Sequence, residues 1–421
     1  MLRAFKIRIH PTEDQAHFLN GQFGAVRFVY NKALRIKEHY RKFHDVNLSI
    51  TKDIRPLIAI AKKGRKYGWL ADYDSQALNE SFRNLEAAYK RFYANLKKGI
   101  DVSKAGKPHT HKKQYKQSSH HVGAQCKVFK DGIKLPKMKE PVRVKCFVPD
   151  EIISGEFKLN SVTLMKTCSG KYYASLLIDD GKELPEKIHH IEKAAGVDVG
   201  LKDFMIVNDG ERCKKYDNKH FIQKADRNLK RKQRKLSRMQ GPVYFDADGK
   251  KHYREPSKRW LKMKNKVAKI HEHVANRRND YQHKLSKELI DNYDAVAVED
   301  LNVKGMLKND KLARAVSDVG WSSFIMKLAY KADWHGKHLV KIDRFFPSSK
   351  TCHVCGYKNT DLKLKDRAWV CPECGTEHDR DDNAAQNIRQ QGLIKLMANG
   401  HTVEHKVLSG VVEDYDHTVN K

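Results

Sequence analysis

Residues 294–301 read DAVAVEDL, four apolar residues in a row closed by the carboxylate of Glu299. A short unbroken apolar run between polar residues is the pattern of a fully buried strand. A counterpart lies upstream, AAGVDVGL at 194–201, where Asp198 is expected in mid-strand, and DFMIVNDG (203–210) continues it as a hairpin. A third run, HLVKIDRFFP, follows at 338–347. Acidic residues are scarce in this chain, so two of them built into buried strands are expected to serve something. Asp379, Asp381 and Asp382 lead into a helix expected from about Asn383 to Met397. Carboxylates from two strands and one helix start are able to meet at one sheet edge. Such a cluster repels itself unless divalent cations bridge it, and bridging Mg²⁺ ions are the machinery of in-line phosphodiester hydrolysis. On spacing alone the plainer readings stay open: Asp198 as a turn residue, Glu299 as an ion-pair partner, Asp381 as a helix N-cap.

Between the third strand and that helix lie Cys352, Cys355, Cys371 and Cys374, spaced CxxC-x15-CxxC, with Gly356 and Gly375 after each second cysteine. Glycine there lets backbone N–H groups turn towards sulfur. Four thiolates around one Zn²⁺ form a closed structural site, a zinc ribbon. The other four cysteines are scattered singly, as in a reducing compartment. His378, beside the last carboxylates, is a candidate supporting group for a ligand.

The chain has 421 residues, 83 Lys/Arg against 51 Asp/Glu, a net charge of +32, and 40% hydrophobic residues. That is a folding chain of two or three domains that seeks a polyanion, and nucleic acid is the usual one. With no run of 18 apolar residues, no lipidation signal and a charged N-terminus, a membrane partner is not expected, and the compartment is expected to be cytoplasmic. Residues 224–278 hold 19 Lys/Arg against 5 Asp/Glu. Most charge runs are solvated helix faces. This one borders an apolar stripe, and Lys230, Arg231, Lys232, Arg234 and Lys235 read as a phosphate clamp.

Near the start, Phe5, Ile7 and Ile9 alternate as in a half-buried strand, and Thr12 with Gln15 forms a candidate capping box. Helical stripes follow, one from Ala16 to Leu34 and one from Leu78 to Leu96, the second capped by Asp74 or Ser75. Residues 99–121 read as a loop and 125–182 as short strands of a small barrel or sheet. The simplest assembly pairs the first strand with that sheet and leaves the helices as an insertion. Gln76, Asn79 and Arg83, off the apolar stripe, are candidates to reach base edges. Ser349 and Lys350, with Ser348, either hold phosphate near the carboxylates or form an ST-turn.

GVDVGL (196–201), AVAVEDLNVKGM (295–306), RFFPSSKTCHVCG (344–356) and CPECGTEHDRDDNAAQNI (371–388) together resemble the ordered signatures of TnpB. These are RNA-guided endonucleases of bacterial insertion sequences, ancestral to compact type V CRISPR effectors. The resemblance extends to FGAVRFVYNKAL (23–34) and DSQALNESFRNLEAAYKRF (74–92), about 90% of the chain in all. It implies a multidomain α+β and α/β chain. A wedge β-barrel takes 1–10 and 119–190, with a helical recognition domain inserted at 11–118. A RuvC nuclease of RNase H-like fold takes 191–346 and 379–400 and a zinc ribbon 347–378, with a C-terminal tail expected to be disordered at 401–421. It further implies that Asp198, Glu299 and Asp381 hold two Mg²⁺ ions. One Zn²⁺ would sit on the cysteines, and the partners would be a transposon-derived guide RNA and a double-stranded DNA target flanked by a short motif. The chain would work as a monomer with its RNA. A cleavage-inactive RNA-guided repressor and a strand-transferring transposase are the competing readings.

Overall fold

The structure is a computed structural model that describes residues 1–113, 117–239, 243–245, 251–253, 255–363 and 365–408. Parts of the basic segment 224–278 and of the expected tail, residues 409–421, therefore lie outside the described residues. The chain divides into two compact units, Met1–Glu183 and the remainder from Leu184.

The first unit opens with strand β1 (Leu2–His10), whose Ile7 and Ile9 are buried between exposed Lys6 and Arg8. Helix α1 (Glu13–Phe43) starts at the Thr12–Gln15 capping box, with Gln15 N donating to Thr12 Oγ1 and Thr12 N to Gln15 Oε1. Helices α2 (Arg55–Ala61) and α3 (Ser75–Lys97) follow, and Asp74 caps α3 by accepting from Gln76 N at 2.9 Å. Strands β2 (Gln117–Val122), β3 (Lys127–Val128), β4 (Gly132–Lys134), β5 (Val142–Val144), β6 (Lys158–Lys166) and β7 (Tyr172–Asp179), with helix α4 (Asp150–Ser154), complete the unit.

The strands form one antiparallel sheet in the order β2-β6-β7-β1-β5-β4-β3, with Ile7 opposite Ala174 and Ile9 opposite Val144. β1 therefore lies inside the sheet, and the helices between β1 and β2 are an insertion. One face of the sheet carries the core of the unit, with Ile7, Ile9, Val144, Ala174 and Leu176 buried together, and among the described residues no pairing joins β2 to β3. The loop expected over 99–121 ends early, because Gln117–Val122 pairs along β6. The segment QSSHHV carries little apolar signal, and its strand conformation comes from that pairing.

The second unit contains strands β8 (His190–Ile191), β9 (Ala194–Asp198), β10 (Asp203–Asn208) and β11 (Cys213–Asp217), then helix α5 (Phe221–Met239). The paired strands β12 (Val243–Phe245) and β13 (Lys251–Tyr253) precede helix α6 (Lys258–Asn292) and strand β14 (Ala295–Glu299). Helices α7 (Val303–Met306), α8 (Ala313–Val319) and α9 (Trp321–Trp334) lead to strand β15 (His338–Ile342). Strands β16 (Ala368–Val370) and β17 (Glu377–Asp379), helix α10 (Arg380–Ala398), strand β18 (Thr402–Val403) and helix α11 (His405–Leu408) follow.

Its main sheet has the order β11-β10-β9-β14-β15; β9, β14 and β15 run parallel, and β10 and β11 are antiparallel additions. The unbroken apolar runs have a physical cause, since helices cover both faces. Ala195, Val197, Val296 and Val298 pack on one face against α6, α8 and α9 through Leu289, Val319, Phe324 and Leu328. On the other face Ala194, Ala295 and Ala297 meet α10. Small residues on that face bring α10 close. A β-carbon on Gly196 would fall 1.9 Å from Ala385 O, and one on Gly392 would fall 2.4 Å from Ala297 Cβ.

Three expectations are corrected here. Asp198 ends β9 and does not lie in mid-strand. Helix α10 begins at Arg380, not near Asn383, because Asp379 caps it by accepting from Asp381 N and Asp382 N. Of the expected tail, Thr402–Val403 pairs in parallel with His190–Ile191, so residues up to Leu408 are ordered against the unit.

Candidate active site

Strand parity decides where the two strand carboxylates point. Side chains alternate between faces, so Asp198 shares the face of Ala194 and Gly196, and Glu299 that of Ala295 and Ala297. That is the face covered by α10. Val197 pairs with Val298 in parallel register, which places Asp198 and Glu299 side by side at the carboxyl ends of neighbouring strands. The first turn of α10 supplies Asp381.

Asp198 feels the charge of the other two acids. Burial, then the charges of Glu299 and Asp381, push the Asp198 carboxyl up to about 7, with Arg380 offsetting part of the effect. Glu299 Oε1 accepts from Ser348 Oγ at 2.6 Å, and Asp381 Oδ2 accepts from Arg367 Nη1 at 3.4 Å. The neighbouring aspartates are engaged elsewhere. Asp379 caps α10 and pairs with Lys215 at 2.7 Å, while Asp382 Oδ1 accepts from Asn208 Nδ2 at 2.6 Å. An all-oxygen set of crowded carboxylates suits a hard divalent cation, whose charge would counter the burial and the acidic neighbours that raise the Asp198 carboxyl.

The four cysteines form a tighter group. Among the described residues they alone bring three or more candidate ligand atoms within 4.8 Å of one another, and the carboxylates are more widely spaced. Cys352 Sγ lies 3.7 Å from Cys374 Sγ, and Cys355 Sγ lies 3.5 Å from Cys371 Sγ. Gly356 and Gly375 take the left-handed conformation, φ +77° and +71°, and their N–H groups donate to Cys352 O and Cys371 O. The donor set fits a tetrahedral Zn²⁺ site. His378 is buried with Nε2 3.1 Å from Cys352 Sγ, packed against Trp369. Its ring therefore lies at the sulfur cluster, a placement that spacing alone does not give.

Comparison with known proteins bears on the whole chain. Three family models match it: "Helix-turn-helix domain" at residues 1–44, "Probable transposase" at 178–310, and "Cas12f1-like, TNB domain" at 321–388. A Streptomyces pristinaespiralis protein named "Putative RNA-guided DNA endonuclease" is 33% identical, over 93% of this chain and 89% of its own. The chain belongs to the TnpB family. A second relative, "Putative RNA-guided DNA endonuclease InsQ" of Escherichia coli K12, is 26% identical over 96% of this chain and 95% of its own. The solved structure of the mini-RNA-guided endonuclease CRISPR-Cas_phi3 shares the fold at a TM-score of 0.50 and 10% identity. It covers 93% of this chain, which covers 92% of it. In this TnpB-family chain the residues matched by the helix-turn-helix description form β1 and the single long helix α1.

The remaining candidates of this TnpB-family member fall in several places. Lys230, Arg231, Arg234 and Lys235 line a groove of about 1120 Å³ with Lys224, Arg227 and Arg238. Lys232 is half-buried and outside that lining, and Lys230 also pairs with Asp226 at 2.9 Å. In the first unit Gln76 and Arg83 are exposed, Asn79 is half-buried, and Arg83 pairs with Glu80. None of the three lines the cavity of about 600 Å³ beside α3, which is lined instead by Glu80, Ser81, Asn84, Arg27, Gln117 and His120 among others. The polar loop reading of 99–121 concealed that wall. Near the carboxylates, Ser348 and not Ser349 touches Glu299, and Lys350 Nζ is spent on Thr360 O at 2.9 Å. A further cavity of about 280 Å³ opens beside Glu299, bordered by Lys341, Trp321 and Met326. Among the described residues no helix is long and apolar enough to cross a membrane.

Proposed function

We propose that this chain is an RNA-guided DNA endonuclease whose second unit is a RuvC nuclease of RNase H-like fold. The observation that carries this reading is the gathering of Asp198, Glu299 and Asp381 at one strand edge, with Asp198 pushed up to about 7 by burial and its acidic neighbours. A folded protein tolerates such repulsion where function requires it. Relatives over most of its length carry the name "Putative RNA-guided DNA endonuclease".

In this reading Asp198, Glu299 and Asp381 would hold two Mg²⁺ ions, which would supply charge stabilisation for phosphodiester hydrolysis. The chain's own residues orient the ligands. The parallel pairing of β9 and β14 fixes the spacing of Asp198 and Glu299, and the close seat of α10 on Gly196 brings in Asp381. Cys352, Cys355, Cys371 and Cys374 hold one Zn²⁺ with a structural role, since four thiolates leave no open position. The α5 groove binds nucleic-acid backbone through shape and charge, while a guide RNA supplies sequence by pairing with the DNA target.

The test is incubation of the RNA-bound protein with plasmid carrying a guide-matched target, in Mg²⁺ and in EDTA. Linear product in Mg²⁺ alone is the expected result. Binding without cutting under both conditions would instead make the chain a repressor, and joined donor ends would make it a transposase.

A further inference from the structure

Ser348 connects the carboxylate cluster to the cysteine site. Its hydroxyl donates to Glu299 Oε1 at 2.6 Å. Its carbonyl oxygen accepts from Asn387 Nδ2 at 2.8 Å and from Asn383 Nδ2 at 3.5 Å. The same two amides reach Thr351 O, at 2.6 and 2.7 Å. Asn383 Oδ1 then accepts from the His353 N–H at 3.1 Å, and Gln390 Nε2 donates to His353 O at 3.1 Å. The segment 348–353, which contains Cys352, is thus clamped by three side chains of α10, the helix that carries Asp381.

These amides are costly unless satisfied. Asn383 is 1% and Asn387 3% exposed, and a buried amide is tolerated only when its hydrogen bonds are made. They make them to the turn. Ser348 is not an ST-turn residue closing on its own backbone, because the local hydroxyl bond belongs to Thr351, which donates to Pro347 O at 3.1 Å. That leaves the Ser348 hydroxyl for Glu299. A glutamate has three free torsions, and a hydroxyl on a fixed turn removes much of that freedom. The orientation of Glu299 relative to Asp381 therefore runs through Ser348, the turn and the asparagines of α10.

We propose that Ser348 is a positioning residue for Glu299, and that its turn passes the order of the cysteine site to the carboxylate cluster. This rests on the nuclease reading above. Filling the thiolate site fixes residues 351–355, these fix Ser348, and Ser348 fixes the ligand oxygen of Glu299. The cysteine site is then a precondition of divalent-cation binding some distance away.

The test uses the full-length RNA-bound protein as parent, Ser348→Ala, Ser348→Thr, Cys355→Ser and the Ser348→Ala/Cys355→Ser double variant, with Asp198→Ala as control. Mn²⁺ binding is read by electron paramagnetic resonance titration, and cleavage is followed against Mn²⁺ concentration. Zinc content and the thermal midpoint are measured on each. Supporting groups of this kind typically change metal affinity about 10–100-fold. Ser348→Ala should therefore raise half-saturating Mn²⁺ about tenfold or more in both readouts, with zinc content and midpoint as in the parent. Ser348→Thr should restore the parent value. Cys355→Ser should lose zinc and weaken Mn²⁺ binding similarly, and the double variant should be no worse than the single ones.

Equal Mn²⁺ binding in parent and Ser348→Ala would overturn the positioning role while leaving the nuclease reading intact. So would a loss in Ser348→Ala that comes with zinc loss and a lower midpoint and that threonine does not rescue. Additive losses in the double variant would overturn the transmission from the cysteine site. A parent that neither cuts nor shows Mn²⁺ binding sensitive to Asp198→Ala would instead bring down the nuclease reading itself.

Discussion

Gly196 and Ala385 stand in backbone contact: a β-carbon on Gly196 would fall 1.9 Å from Ala385 O and 2.5 Å from Arg389 N. Helix α10 rests directly on β9 there, two residues before Asp198 on the same face. Overpacking a well-filled interior typically costs about 1–3 kcal/mol. Gly196→Ala should sit at the upper end of that range or beyond, because the clash is with backbone. Thermal denaturation should show a lower midpoint, and displacement of α10 should carry cleavage down with it. A variant as stable and active as the parent would mean that α10 does not pack this closely.

Asp74 has two partners in the first unit. It caps α3, and His121 Nδ1 lies 2.7 Å from its Oδ2, with both side chains buried. Burial alone would raise the Asp74 carboxyl. The hydrogen bond and charge of His121 and the N–H groups of Gln76 and Ala77 reverse that and hold it below its usual 3.8. A carboxyl depressed in the folded state contributes stability that is present above the unfolded value and lost as pH falls through the folded one. Asp74→Ala should cost about 1–2 kcal/mol for the cap, with a further loss for the stranded His121. In urea unfolding, the gap between parent and Asp74→Asn should be widest near neutrality and shrink below pH 3.8. A gap independent of pH would contradict the pairing.

The cysteine site predicts one zinc per chain. Metal analysis of Cys371→Ser/Cys374→Ser should return almost none, and far-ultraviolet and thermal measurements should show local loss of the ribbon, since zinc binding and folding of such a module are one equilibrium. His378→Ala keeps all four thiolates but removes the ring beside Cys352 Sγ, and should weaken zinc retention about tenfold in competition with a chelator. Unchanged retention would reduce His378 to a packing residue.

The α5 groove predicts a salt signature. Each phosphate contact contributes a slope of roughly 0.7–0.9 in log affinity against log salt. Replacing Arg231, Arg234 and Lys235 together by alanine should make the slope for guide RNA or heteroduplex shallower by roughly 2–3. An unchanged slope would return this face to ordinary solvated surface. Lys232, outside the groove lining, should have the smallest effect of the cluster when replaced alone.

What the sequence disclosed follows from how local each signal is. The cysteine spacing is legible because a knuckle is made by neighbours in the chain. Glu299 is legible because an apolar run that ends in an acid marks a buried strand reaching a site. The start of α10 is less legible: three aspartates compete within four residues, and only Asp379 has the extended geometry that accepts from the N–H groups of Asp381 and Asp382. Gln117–Val122 read as loop because its strand conformation depends on β6, some forty residues away. Ser348 reads from the sequence as a phosphate-binding or turn residue, because nothing in the chain order shows that its hydroxyl meets a carboxylate 49 positions earlier.

The most direct measurement compares Asp198→Ala, Glu299→Gln and Asp381→Asn with the parent, all RNA-bound, on a guide-matched supercoiled plasmid in Mg²⁺. Each variant should retain its RNA and its DNA binding and lose cutting to the limit of detection, with Asp379→Asn and Asp382→Asn less affected. Cutting at the parental rate by any of the first three would contradict the account.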